Sequence, residues 1–334
     1  MTIEVSTVGH DRAVLHDGAT VIRLDGLDPD RDHEHGDVTF RTLPRPDGAL
    51  LSRFATVNDV HFGEKECGVI GGMDLGPPLT PGPDEPPYPQ TMNAAAIEEI
   101  TAIDPAAVVA KGDLTTNGTD DEYQQFLDHY GAAFGQRLVH VRGNHDAYHG
   151  ADFAAFPHQR VDLPGVTLAV LDTSVPGSPA GALTDDQVDW LDDLAARADR
   201  PVLVFGHHHP WSPDSNERPD GYFGIHPTSS ERLVDVVARR PRIRGYFAGH
   251  THRNRVRTFT ATGDVPYVEV ACTKDFPGAW AEYEVYEDGI LQVHHRISSP
   301  DALAWTERTR EMFFGHYPEY AFGTLDDRCF LIPT

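Results

Sequence analysis

Five short segments of this 334-residue chain gather residues that can hold cations or move protons: Asp59-Val60-His61, Gly112-Asp113, Gly143-Asn144-His145-Asp146, His207-His208-His209-Pro210 and Gly249-His250-Thr251-His252. Their donor set is imidazole and carboxylate with one carboxamide and no thiolate, which suits divalent or trivalent first-row ions such as Mn, Fe, Zn or Co. In a strand, residues i and i+2 face the same side, so Asp59 and His61 can reach one ion together. The same spacing lets His250 and His252 converge if the backbone stays extended there. Two ions about 3.5–4 Å apart, sharing a carboxylate and a bridging hydroxide, give a nucleophile at neutral pH and a clamp for an in-line displacement. Gly112, Gly143 and Gly249 allow the tight turns and close backbone approach that such a site needs.

The elements that must position these segments are readable as apolar runs at 50–57, 106–110, 138–141, 166–171, 202–205 and 243–247, taken as strands. The first segment closes one of these runs and the others directly follow one. Helical periodicity lies between them at 91–103, 120–134, 185–198 and 230–239, with Thr184 and Ser229 as expected N-caps of the last two. This alternation predicts an α/β architecture with functional residues at strand ends, where neighbouring strands bring all five segments together. Residues 1–47 read as a small N-terminal β appendage, 48–298 as the catalytic body and 299–334 as a tail that starts helical and turns aromatic-rich. The tail aromatics Phe313, Phe314, Tyr317, Tyr320 and Phe322 are expected to pack rather than to gate a site. Residues 71–90 are dense in proline and glycine and form a candidate rim or lid. Two hairpins are expected at 256–270 and 281–296, the second turning at Asp288-Gly289.

In this order, DxH, GD, GNH(D/E), a histidine followed by proline and GHxH resemble the calcineurin-like metallophosphoesterases, over roughly residues 50 to 275. The resemblance implies a four-layer α/β/β/α sandwich of two mixed β-sheets flanked by helices. It implies that Asp59, His61 and His252 hold one metal ion, that Asn144, His207 and His250 hold the other, and that Asp113 bridges. His145 would not be a ligand; it would sit beside the substrate and stabilise or protonate the leaving oxygen. In HHHP the resemblance favours His207 as the ligand, while strand alternation would also admit His209. His208, His209 and His149 are carried as residues that face the substrate or stand behind a ligand. Thr116 occupies the position where purple acid phosphatases place a tyrosine, and GDLTTNG with GNHD replaces the GDxVDRG and GNHE of protein serine/threonine phosphatases. What remains resembles the branch that hydrolyses cyclic nucleotides and glycerophosphodiesters, in which GDLTxxG is followed by a tyrosine, here Tyr123. The alternatives are a phosphomonoesterase, acting on a nucleotide or sugar phosphate, and a non-catalytic scaffold of the same fold.

Bulk properties bound these readings. With 40% hydrophobic and 24% charged residues the chain has the composition of a globular protein with a sizeable core. Its formal net charge of -25 repels polyanions, which argues against a nucleic-acid polymer or an anionic membrane as partner. A small phosphate ester is still admitted, because bound metal ions reverse the field locally. Cys67, Cys272 and Cys329 are scattered and show no CxxC spacing, so neither a disulfide framework nor a zinc ribbon is expected. The start MTIEVSTVGHDRAVLHDG lacks the basic and apolar pattern of a signal peptide, and no run approaches the ~20 apolar residues of a membrane span, so the expected location is cytoplasmic. His33 and His35 in DHEHGD imitate a metal site but read as a solvated acidic turn. The tail and the proline-rich loop are natural contact elements for a homo-oligomer, which nothing in the sequence demands.

Overall fold

A computed structural model describes residues 3–71 and 73–334; residues 1 and 2 of the expected N-terminal segment and residue 72 of the expected rim loop lie outside the described residues. The chain opens with an antiparallel sheet of β1 (Glu4–Val8), β2 (Arg12–Asp17) and β3 (Thr20–Asp25), followed by a hairpin of β4 (Asp32–His35) and β5 (Val38–Arg41). His33 lies on that hairpin with its ring 5.8 Å from Phe40. The main body holds two six-stranded sheets. The first runs β17 (Phe330–Pro333), β16 (Gly289–Arg296), β15 (Ala279–Tyr286), β6 (Leu50–Val57), β7 (Val108–Lys111), β8 (Leu138–Val141). The second runs β13 (Arg255–Arg257), β14 (Tyr267–Glu269), β12 (Ile243–Ala248), β11 (Val202–Phe205), β10 (Val166–Leu171), β9 (His158–Leu163).

Both sheets are mixed. β6, β7 and β8 are parallel, as are β10, β11, β12 and β14, while β15, β16 and β17 add antiparallel strands to the first sheet and β9 and β13 close the edges of the second. Side-chain parity then decides which layer each residue enters. Phe54, Val109, Leu168, Val170, Leu203, Phe205 and Phe247 face inward between the sheets, where Phe54 stacks on Tyr283 at 4.5 Å. Their neighbours Ala55, Val57, Val108 and Ala110 face out towards the helices Tyr88–Ala102 and Pro300–Thr309, in a layer with Met92, Ala96, Ile100 and Trp305. On the other side Ala169, Val202, Val204 and Tyr246 meet the helices Asp185–Arg197 and Pro227–Arg239 through Leu191, Leu194, Leu233 and Val237. The result is helix, sheet, sheet, helix, because strands buried on both faces need cover on both.

The N-terminal sheet is sewn to this body. Val8, Leu15 and Phe40 pack with Tyr286, Leu291 and Val293 on the outer face of the first sheet, and Arg12 lies 2.8 Å from both Glu282 and Glu284. The tail returns past it, with Arg328 donating to the Val5 carbonyl at 2.8 Å, before it adds β17 to the sheet edge. Three helix expectations shift for local reasons. The first helix starts at Tyr88 because prolines shape its entry turn, and the expected 120–134 helix is α-helical over Asp120–Phe126, widens at Leu127–Gly131 and resumes for one turn at Ala132–Phe134. His226, not Ser229, caps the helix Pro227–Arg239; Ser229 is inside it and donates to the Leu183 carbonyl.

Candidate active site

Each of the five segments starts where a strand leaves its sheet. β6 ends at Val57, β7 at Lys111, β8 at Val141, β11 at Phe205 and β12 at Ala248. Parallel strands present their carboxyl ends on one edge, so the loops that follow meet there. Backbone bonds set the spacing: the Asp59 and His61 N–H groups donate to the Gly112 and Asp113 carbonyls at 3.1 and 3.0 Å, and the Gly249 N–H donates to His207 at 2.9 Å. A Cβ at Gly112 (φ +90°) would stand 2.6 Å from His207 Nδ1, and one at Gly249 would stand 2.6 Å from Asp59 Oδ2, so only glycine lets these loops close up.

The ligand pairs converge by a different route from strand alternation. Asp59, His61, Asp113, His250 and His252 all have φ between +47° and +69°, so these segments are left-handed turns and not extended strands. Such backbone costs roughly 1–3 kcal/mol per residue and persists where its surroundings over-determine it, typically at functional sites. Asp59 and His61 still meet, with ligand atoms within 4.8 Å of one another and of His252. His250 parts from His252 and joins His207 and His208 instead.

Asp59 is fully buried and accepts the His250 N–H at 3.0 Å and the Asn58 amide at 2.6 Å, with His252 Nε2 at 3.3 Å. Asp113 stands between the two groups: its Oδ2 is 3.5 Å from His61 Nε2 and 3.3 Å from His207 Nε2, while its Oδ1 accepts the His145 N–H at 2.9 Å. Burial opposes ionising both carboxyls, but His252 beside Asp59, and His207 and His145 beside Asp113, hold them below the ordinary carboxylate range.

The donor chemistry fits cations at both groups. His61 is buried with neither ring nitrogen hydrogen-bonded, and His208 Nε2 is likewise unpartnered. An unpaired buried imidazole is costly unless an ion takes its lone pair. His207 donates Nδ1–H to the Lys111 carbonyl at 2.8 Å, which leaves its Nε2 facing Asn144 Oδ1 at 3.0 Å and Asp113 Oδ2 at 3.3 Å. A nitrogen lone pair set against two oxygens is stabilised by a cation among them. Burial disfavours charge on His207, yet Asp113 and Asp59 raise it to about 9, so the position attracts positive charge strongly.

Of the other histidines, His145 donates Nδ1–H to the Thr116 carbonyl at 2.8 Å and sets its ring edge-to-face with His61 at 4.7 Å. Its Nε2 is therefore the nitrogen left to exchange a proton. His208 bonds Thr173 Oγ1 at 2.8 Å through Nδ1, lies 4.5 Å from the His250 ring and keeps its Nε2 within the group it forms with His207 and His250. His209 turns towards Tyr222 at 5.4 Å and joins no ligand group among the described residues. His149 is exposed and, like His208 and His209, is not among the described residues that line the cavity.

That cavity, about 590 Å³, has His61, Asp113, Asn144, His145, His250 and His252 on its floor. Its walls are Val69, Ile70, Met73 and Leu75 from the glycine- and proline-rich loop, Phe223, and Met312, Phe313, Tyr317 and Tyr320 from the tail. The tail aromatics thus split: Phe313, Tyr317 and Tyr320 line the cavity, and Phe322 packs on the core.

Several contributors lie outside the motifs, and one inside them, Asp146, has a role the motif alone did not disclose. Tyr148 accepts the Asn144 amide N–H at 2.7 Å and so orients that side chain. Asp146 accepts backbone N–H groups from Gly143, Leu114 and Thr115 at 2.8, 3.1 and 2.8 Å, tying one motif loop to the next; the acidic residue after GNH was its visible signal. Asp275 lies 3.8 Å from His252 Nδ1 and accepts from Tyr317 OH at 2.5 Å and Cys272 Sγ at 2.8 Å. Lys274 reaches Glu64 at 2.7 Å and Asp275 at 2.9 Å. Cys67 is a packed thiol with its Sγ 3.3 Å from Asp275.

Comparison with known proteins adds four findings. A family profile described as calcineurin-like phosphoesterase matches residues 52–254. A glycerophosphodiester phosphodiesterase of Enterobacter lignolyticus is 28% identical over 218 residues, 59% of this chain and 70% of that protein. A 3',5'-cyclic adenosine monophosphate phosphodiesterase of Pseudomonas aeruginosa is 32% identical over 154 residues, 44% of this chain, so that the match spans about half, 54%, of that relative. Among solved structures, a dimetal phosphatase from Danio rerio aligns with a TM-score of 0.56 at 17% identity, covering 75% of this chain and 98% of that one, which is a likeness of fold.

Proposed function

The chain belongs to the calcineurin-like phosphoesterase family, and from that premise we propose that it is a dinuclear-metal hydrolase of small phosphodiesters. The observation that carries this reading is a pair of ligand groups meeting at Asp113 on the floor of an open cavity. Asp59, His61 and His252 would hold one ion, Asn144, His207 and His250 the other, with Asp113 between them. Bound there, two ions such as Mn, Fe, Zn or Co would supply a nucleophile at neutral pH and neutralise charge on the phosphoryl oxygens.

The protein's own share is orientation and proton transfer. The His145 N–H holds one Asp113 oxygen and leaves the other facing both groups. With Nδ1–H committed to Thr116, His145 can present a proton from Nε2 to a departing alkoxide. Charge favours a diester. A phosphomonoester carries close to two negative charges at neutral pH, and Lys274, the one cation among the described lining residues, is already paired with Glu64 and Asp275. Both relatives named above are phosphodiesterases, which points the same way. The free, buried cysteines Cys67, Cys272 and Cys329 support a reducing compartment such as the cytoplasm.

Alanine at Asp113 or Asn144 tests the ligand assignment. Each variant should keep its circular dichroism and lose hydrolysis of bis(p-nitrophenyl) phosphate by roughly a thousandfold or more. Full activity in either would refute the assignment.

A further inference from the structure

The wall facing the ligand groups has no task in phosphoryl chemistry, yet it is made of large apolar side chains left open to solvent. Val69, Ile70, Met73, Phe223 and Tyr320 are 59%, 49%, 65%, 53% and 44% exposed, and all of them line the cavity that holds His61, Asp113 and His145. Single exposed hydrophobics are ordinary, but a set gathered in one concavity marks a surface meant to be covered.

The backbone carries a second sign. Phe313 and Phe314 have φ of +55° and +58° in succession, a conformation rarely adopted by bulky residues. This corner follows Met312 and precedes Tyr317, both buried, and it delivers Phe313 to the cavity wall. The tail also meets the loop after the first ligand motif: a Cβ at Gly68 would stand 3.1 Å from Met312 Sδ, and one at Gly76 would stand 3.6 Å from Phe314. Charge completes the picture, since Lys274, the one Lys or Arg among the described lining residues, is committed to two carboxylates and is not free for an additional anionic group.

We propose that this wall is an ester-arm subsite that takes an uncharged aromatic group carried by the phosphodiester, and that it selects such substrates over diesters with two small arms. The inference rests on the phosphodiesterase reading above. It assigns Ile70, Met73 and Phe313 to specificity and leaves the ligand groups to the chemistry.

Symmetric diesters test it, since either arm can then occupy the wall. Diphenyl phosphate and dimethyl phosphate are titrated as competitors of bis(p-nitrophenyl) phosphate with the metal-loaded enzyme. Saturation-transfer NMR reads contact of the phenyl protons with the protein without reference to turnover. The expected result is a Ki about tenfold or more lower for diphenyl phosphate, from the apolar area a ring buries. The gap should narrow several-fold, with weaker saturation transfer, in an Ile70→Asn/Met73→Asn double variant. It should persist in Phe156→Asn, which removes an exposed aromatic outside the cavity. Equal Ki values, or a gap untouched by the double variant, would overturn the subsite while leaving the phosphodiesterase reading intact. If no metal supports turnover of bis(p-nitrophenyl) phosphate, that reading fails and the subsite falls with it.

Discussion

On the proposed reading, Asp113 and His145 would divide the chemistry between charge and proton. His145 should matter in proportion to how much the leaving oxygen needs its proton. His145→Gln should slow alkyl phosphodiesters by about 10²–10⁴ and affect p-nitrophenyl esters far less, because p-nitrophenolate departs unprotonated. Equal losses across a series of leaving groups, read from kcat, would remove His145 from the proton-donor role. Asp275 stands one step back, 3.8 Å from His252 Nδ1, where its charge would steady that ring without a direct hydrogen bond. Asp275→Asn should weaken metal affinity by about 10- to 100-fold with the fold retained, measured as metal content against competing chelator. The candidate ligand residues could be named from the sequence, and the fold gathers their donor atoms, because donor type is a local property and five motifs in one order leave little freedom. Tyr148 and Asp275 could not, since their meaning lies in what they touch. The left-handed backbone at Asp59, His61, Asp113, His250 and His252 was equally hidden: it is set by hydrogen bonds between loops distant in sequence.

At the scale of elements, apolar runs located β6, β8, β10 and β11 at their observed bounds; β10 and β11 are buried throughout and so need apolar residues on both faces, while β6 and β8 kept enough of the pattern to be seen despite Ser52, Arg53 and His140. The edge strands β9 and β17 went unread, since HQRVDL alternates with charge and FLIP is too short to show a period. Burial likewise shows only in the fold. His16 on β2 is enclosed between Ser6 at 2.9 Å and Ser298 at 3.2 Å, where the N-terminal sheet meets the body. Burial first, then Arg296, lowers it to about 3 from the usual 6.5. Below pH 6.5 the unfolded chain binds a proton that the folded one refuses, so stability falls as pH drops from 6.5 towards 3, by roughly 1.4 kcal/mol per unit. Thermal melts at pH 7.5 and 5.0 should show a smaller loss in His16→Asn than in the parent chain. An identical loss would mean that this junction does not sense pH through His16.

Across the whole molecule, the two sheets bring parallel strand ends from both halves to one edge, so the ligand groups span the sandwich, with Asp59 and Asp113 from the first sheet and His207, His250 and His252 from the second. Metal would therefore hold the halves together as well as support chemistry, and a ligand at 100 times its Kd adds about 2.7 kcal/mol of stability. The tail closes the other side: it covers the N-terminal sheet, supplies β17 and ends one wall of the cavity, a course that composition alone did not disclose. The central claim is metal-dependent hydrolysis with preference for diesters. It is tested most directly by stripping the protein of metal, re-supplying Mn, Fe, Zn and Co in turn, and following bis(p-nitrophenyl) phosphate beside p-nitrophenyl phosphate. The account predicts activity only with metal restored, higher kcat/KM for the diester, and a melting temperature that rises with the same ion. Activity in the stripped protein, or a preference for the monoester with every metal, would contradict it.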